Sequence, residues 1–110
     1  MAITTLSKEA IEGGTYIIEL KFRDEDKNLI NPNTLEWWLS DVEGNPINSR
    51  EGVSVDSPSS VTNIVLMGAD LTPGWKIFTI KGTYNSNYGN DLLLRDAIKF
   101  YVRDLIEEDY

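Results

Sequence analysis

At 110 residues the chain is the size of one ordinary domain, large enough to bury a core without metal or disulfide staples. It holds neither cysteine nor histidine, which excludes disulfides, thiolate nucleophiles and the usual zinc, copper and haem ligand sets, and removes the commonest general base. Ten basic against eighteen acidic residues give a formal charge of −8, which opposes a phosphate backbone, and no local basic patch offsets it. Neither a nucleic-acid partner nor a cofactor is therefore expected.

Segment 1–8 lacks the basic region and apolar core of a signal peptide, and no apolar run approaches membrane-spanning length, so a soluble chain without an export signal or membrane partner is expected. Ile3 to Glu9 alternates weakly, as an edge strand or a loose arm over 1–9. Gly13-Gly14 punctuates before Thr15–Phe22, whose alternation puts Tyr16, Ile18, Leu20 and Phe22 on one face. Asp24–Asn33 is rich in turn formers. Thr34–Asp41 follows as a strand with Leu35, Trp37 and Leu39 inward and Trp38 alone among polar residues on the other face.

Gly44-Asn45 suits a tight hairpin, with Pro46–Arg50 as a short returning strand and Glu51–Ser60 as a wandering connection. Val61–Met67 is rich in β-branched residues, with Ile64 and Leu66 inward. Gly68–Gly74 is a corner in which Asp70 can bond to its own backbone. From Trp75 to Tyr84, Thr79, Lys81 and Thr83 mark the outer face together with Ile77 and Trp75, leaving Phe78, Ile80 and Tyr84 inward. Asn85–Asp91 reads as a loop. Leu92–Asp104 carries helix-forming residues, but the alternation after Ala97, with Ile98, Phe100 and Val102 inward, predicts a strand to Leu105 before an acidic tail over 106–110.

About seven short strands with regular turn signals and no helical repeat predict a single-domain, all-β, antiparallel immunoglobulin-like sandwich of about seven strands without a disulfide. Three stretches carry a further likeness: Thr34–Arg50, Ile64–Leu71, and Lys81–Ser86 leading to Ala97–Val102. Together they resemble the small immunoglobulin-like β-sandwich structural proteins of tailed bacteriophages and prophages. The resemblance implies a non-enzymatic virion component, made in the bacterial host cytoplasm: capsid decoration, head-tail junction or neck, or tail accessory. Its partners would be capsid, neck or tail proteins and further copies of itself.

No catalytic residue is predicted, because the serines of Ser57–Ser60 lie outside any nucleophile-elbow pattern. Asp24, Asp26 and Asn28 open like a calcium loop, but Leu29 and Leu35 stand where an EF-hand needs glycine and glutamate, leaving Asp24, Asp26 and Asp41 as weak metal candidates. The stronger expectation is a partner interface on one outer sheet face, built from Trp38, Ile77 and Tyr101 with Trp75 and rimmed by Glu36, Lys81 and Arg103. Alternatively, a loop such as Asp56–Ser60 or the first arm covers that face. A carbohydrate- or ligand-binding module using Trp38, Trp75, Tyr84 and Tyr88 as stacking platforms is the competing function.

Overall fold

The structure is a computed structural model, and it describes residues 10–104 together with the backbone of 2–5. It is all-β. The strands are β1 (Ala2–Thr5), β2 (Ala10–Ile11), β3 (Thr15–Lys21), β4 (Thr34–Asp41), β5 (Val53–Ser54), β6 (Val61–Met67), β7 (Gly74–Ser86) and β8 (Gly89–Arg103). They form a three-stranded sheet ordered β1-β3-β6 and a five-stranded sheet ordered β2-β8-β7-β4-β5. Pairing is antiparallel except where β2 lies parallel to the end of β8, so the β1–β2 segment crosses from one sheet to the other.

Alternation places the core. Tyr16, Ile18, Leu20 and Phe22 from the first sheet meet Leu35, Trp37, Leu39, Phe78, Ile80, Phe100 and Val102 from the second, all buried. The Tyr16 and Phe100 rings stack across the two sheets at 4.8 Å, and Trp37 packs on Phe78 at 5.5 Å. Burying side chains of this size stabilises by about 1.5–3 kcal/mol each. Ile64 and Leu66 of β6 close the core as the sequence predicts.

Several expectations need correction. Pro46–Arg50 is not a strand: apart from a single bridge between Ser40 and Pro46, it is a bent loop with Asn48 and Ser49 at positive φ. It hugs β4 through only two backbone bonds, Ile47 N–H to the Leu39 carbonyl and Leu39 N–H to the Arg50 carbonyl. Asn85–Asp91 is not an open loop either. The two long strands continue through it to a two-residue turn at Asn87-Tyr88, with a bulge where Asp91 takes φ 51. Its turn-forming residues are overridden by the hairpin ladder, which starts β8 at Gly89 rather than Ala97.

The first strand spans Ala2–Thr5, and the expected continuation through 6–9, like the acidic tail, lies outside the described residues. Between β6 and β7, Gly68–Asp70 forms one turn of 3₁₀ helix, and Asp70 bonds the Met67 amide locally, as expected. Asp70 is also completely buried and reached by Asn48 and Arg50, which locks the Pro46–Arg50 loop to the corner joining the sheets.

Candidate functional site

The outer face of the five-stranded sheet is laid out by its register. Reading across β4, β7 and β8, one row is Glu36–Lys81–Arg95, the next Trp38–Thr79–Ala97, the next Ser40–Ile77–Lys99, and the last pairs Trp75 with Tyr101. The expected residues therefore do share one face, on three adjacent strands. They do not form one cluster.

Trp75 and Tyr101 are directly opposite each other, with ring centroids 5.2 Å apart in an edge-to-face arrangement, and are 49% and 41% exposed. Lys99 places its Nζ 4.8 Å from the Trp75 ring, so the cluster is an aromatic pair topped by a cation. Ile77 sits half-buried in the adjacent row. Trp38 lies two rows from Trp75 and is half-buried, because Lys81 Nζ approaches its ring to 5.2 Å and the backbone of Gly52 packs on its edge. A Cβ added at Gly52 would stand 3.6 Å from Trp38 Cζ2. The loop that shelters Trp38 is thus the one around Gly52, not Asp56–Ser60. The exposed centre of the face shifts from Trp38 to Trp75 and Tyr101.

No family model, no curated protein and no solved structure matches this chain. Its own geometry is what the functional reading rests on.

The three acidic metal candidates are not brought together. Asp24 sits in the loop beside the β7–β8 hairpin, where its Oδ1 accepts the amides of Asp26 and Asn28 at 2.9 Å each. Asp41 is at the far end of β4, where its carboxylate accepts the amides of Glu43 and Asn45 and the Asn45 side chain. Both serve as turn braces. Among the described residues no group of three acidic side chains converges.

The proposed stacking aromatics are also scattered. Tyr88 is at the hairpin tip and Tyr84 on the opposite face from Trp75, where its hydroxyl bonds Glu25 and its own ionisation is pushed up by that carboxylate. Beside Tyr84, a cavity of ≈ 210 Å³ is lined by Phe22, Arg23, Glu25, Ile30, Leu93 and Leu94. The serine-rich connection is occupied with its own turn: Ser59 Oγ donates to the Val61 carbonyl at 2.6 Å.

What the sequence reading missed is the length of β8. It runs fifteen residues, yet β2 bridges its outer side only at Val102 and Arg103. The signal was present in the alternation from Leu92 onward, masked by the turn-like composition before it.

Proposed function

We propose that this chain is a non-enzymatic virion structural protein of a tailed phage or prophage, working by protein–protein assembly at a capsid, neck or tail position. The strand order supports an immunoglobulin-like reading of the fold: the first, third and sixth strands share one sheet, and the fourth, seventh and eighth share the other. Trp37 then occupies the core position of the third main strand, and the split β1–β2 segment edges both sheets.

The observation that carries the assembly reading is the exposed Trp75–Tyr101 pair with Lys99 on the outer face of the five-stranded sheet. An aromatic anchor with a cation beside it suits a protein interface with an apolar centre and polar rim. The same face, with Trp38 and Trp75 each already topped by a lysine, suits a sugar ring less well. The net charge of −8 disfavours nucleic acid or an anionic membrane as the partner.

The test is binding to the capsid, neck and tail proteins encoded beside this gene, with a glycan panel run in parallel. Capture of a neighbouring virion protein that is lost in Trp75→Ala and Tyr101→Ala, with melting temperature little changed, is the expected result. Glycan affinity without any such capture would replace the assembly reading by a carbohydrate-binding one.

A further inference from the structure

The outer face of the five-stranded sheet gathers cations that the sequence keeps apart. Lys81 on β7 and Arg95 on β8 stand directly opposite each other in the register, and Lys99 follows two rows further along β8. Like charges set directly opposite weaken a ladder unless something neutralises them. The chain has eighteen acidic residues against ten basic, yet among the described residues no carboxylate comes within 4.0 Å of any of these three.

The acids beside them are turned elsewhere. Glu36 shares the row of Lys81, but its Oε2 lies against Gly52, 3.3 Å from where a Cβ would stand there. Asp96 follows Arg95 and turns its carboxylate onto the Ala97 amide at 2.8 Å. On the other sheet, by contrast, Lys21 pairs with Glu19 at 3.6 Å.

Between the cations the face is low. Thr79 and Ala97, both short, pair in the row that separates Lys81 and Arg95 from Lys99. Side chains on one face of a strand recur about every 7 Å, so a group seated over Ala97 is one row from Arg95 and one row from Lys99. A carboxylate there would meet a guanidinium fork, two ammonium groups and the Thr79 hydroxyl. The Trp75–Tyr101 pair lies two rows on, about 13 Å along the strands.

We infer that this face binds an acidic segment of a partner protein, with one aspartate or glutamate of that segment seated over Thr79 and Ala97 between Lys81, Arg95 and Lys99, and an apolar side chain resting on Trp75 and Tyr101. This deepens the assembly reading above by naming the chemistry of the partner, and it rests on that reading for its biological setting. The two subsites are spaced as residues four apart in an extended chain. A short acidic segment meets only the cations of this face, whereas a long polyphosphate or an anionic membrane would also meet the rest of a surface whose chain carries −8. Trp75 is already met edge-on by Tyr101 and faced by Lys99, an arrangement that suits an apolar anchor better than a stacked base.

The probe is a blocked pentapeptide with phenylalanine at one end, glutamate at the other and threonines between, titrated into the isotope-labelled full chain and followed by NMR. Saturating shifts are expected at the Thr79, Ala97 and Lys99 amides and the Trp75 indole, weakening as salt is raised. An exposed ion pair contributes up to about 1 kcal/mol and a reversed charge adds repulsion of similar size, so Arg95→Glu and Lys99→Glu should each weaken binding about tenfold. Lys21→Glu, on the other sheet, should leave it unchanged.

The inference is overturned by an absence of shifts, by equal binding of the same peptide with glutamine in place of glutamate, or by tighter binding of oligothymidylate or phosphatidylglycerol vesicles at the same residues. Capture of a neighbouring virion protein that is lost in Trp75→Ala but survives Arg95→Glu and Lys99→Glu also overturns it, while leaving the assembly reading intact. Peptide binding with the expected charge dependence but no capture of any neighbouring virion protein upholds the site and removes that reading.

Discussion

Arg50 closes on the carboxylate of Asp70 with two hydrogen bonds, Nε to Oδ1 at 2.8 Å and Nη2 to Oδ2 at 3.1 Å. The Asp70 side chain is only 1% exposed and Arg50 37%. Asn48 Nδ2 and the Met67 amide supply two further donors, at 2.8 and 3.2 Å, so the buried carboxylate is ringed by four. The guanidinium also lies 5.5 Å from the Trp37 ring, which seats this charge pair against the edge of the core. Removing Arg50 strands a buried anion. Arg50→Ala should therefore destabilise by about 2–4 kcal/mol, below the top of the range for fully buried pairs because Arg50 keeps part of its surface in water. Urea denaturation reads this directly: a midpoint unchanged from the parent would show that Asn48 and Met67 suffice.

The same carboxylate makes acid stability predictable in sign. Burial pushes Asp70 up, but the donors from Arg50, Asn48 and Met67 together outweigh it and hold its carboxyl below the ordinary value. The unfolded chain then binds the proton more tightly than the folded one. This group's contribution is complete above the unfolded carboxylate value of about 3.9 and is lost as pH falls below it through the folded value. Asp41, held low chiefly by the Asn45 amide, and Glu25, held low chiefly by the Tyr84 hydroxyl, act in the same direction. Melting temperature should fall steeply below about pH 4, and Asp70→Asn should show a shallower acid limb starting from lower stability. Parallel curves for the two proteins would remove Asp70 from the account.

How much of this could be read in advance depended on distance along the chain. Period-two alternation sorted Tyr16, Ile18, Leu20 and Phe22, and divided Trp37 from Trp38, because a strand's faces are a local property. The Arg50–Asp70 pair spans twenty residues and two loops, and no local pattern distinguishes it from the other acid–base combinations. The turn-rich composition of 85–91 hid a ladder that only β7 and β8 together specify. Trp38 drew attention by its neighbours in sequence, whereas its exposure is set by Gly52, which comes from a loop with no periodic signal.

Lys76 was equally invisible: its parity on β7 points it inward, yet lysine is seldom fully buried. It is 3% exposed, with Nζ donating to the Pro73 carbonyl at 3.2 Å. Burial pushes its pKa below the ordinary value, partly offset by Asp41. The folded state thus disfavours the charged form, and at neutral pH the residue costs stability. Lys76→Met, of similar length, should stabilise by roughly 1 kcal/mol at pH 7. That gain should shrink as the pH rises through the unfolded lysine value near about 10.4, where both states lose the charge. A gain that persists undiminished above it would point to packing instead of charge burial.

Gly82 sits where the backbones of β7 and β4 come close together. It lies opposite Leu35, where β4 crosses β7, and a Cβ built on it would fall 2.2 Å from the Thr34 carbonyl oxygen. A real Cβ does not survive at that distance from backbone, so Gly82→Ala must push β4 away. The displacement would reach Leu35, which is buried, and the Thr34–Thr83 hydroxyl pair at 2.9 Å. Overpacking of this kind costs about 1–3 kcal/mol, and the upper half of that range is expected because the obstructing atom is main chain and not a side chain that can rotate. Hydrogen exchange locates the damage: the Glu36 and Trp38 amides, on the β7 side of β4 because Leu35 and Leu39 bond on the other side, should lose protection first, while β3 and β6 keep theirs. Uniform loss across both sheets would mean that β4 and β7 unfold only with the whole domain, and unchanged protection at Glu36 would show that the sheet absorbs the methyl group by twisting.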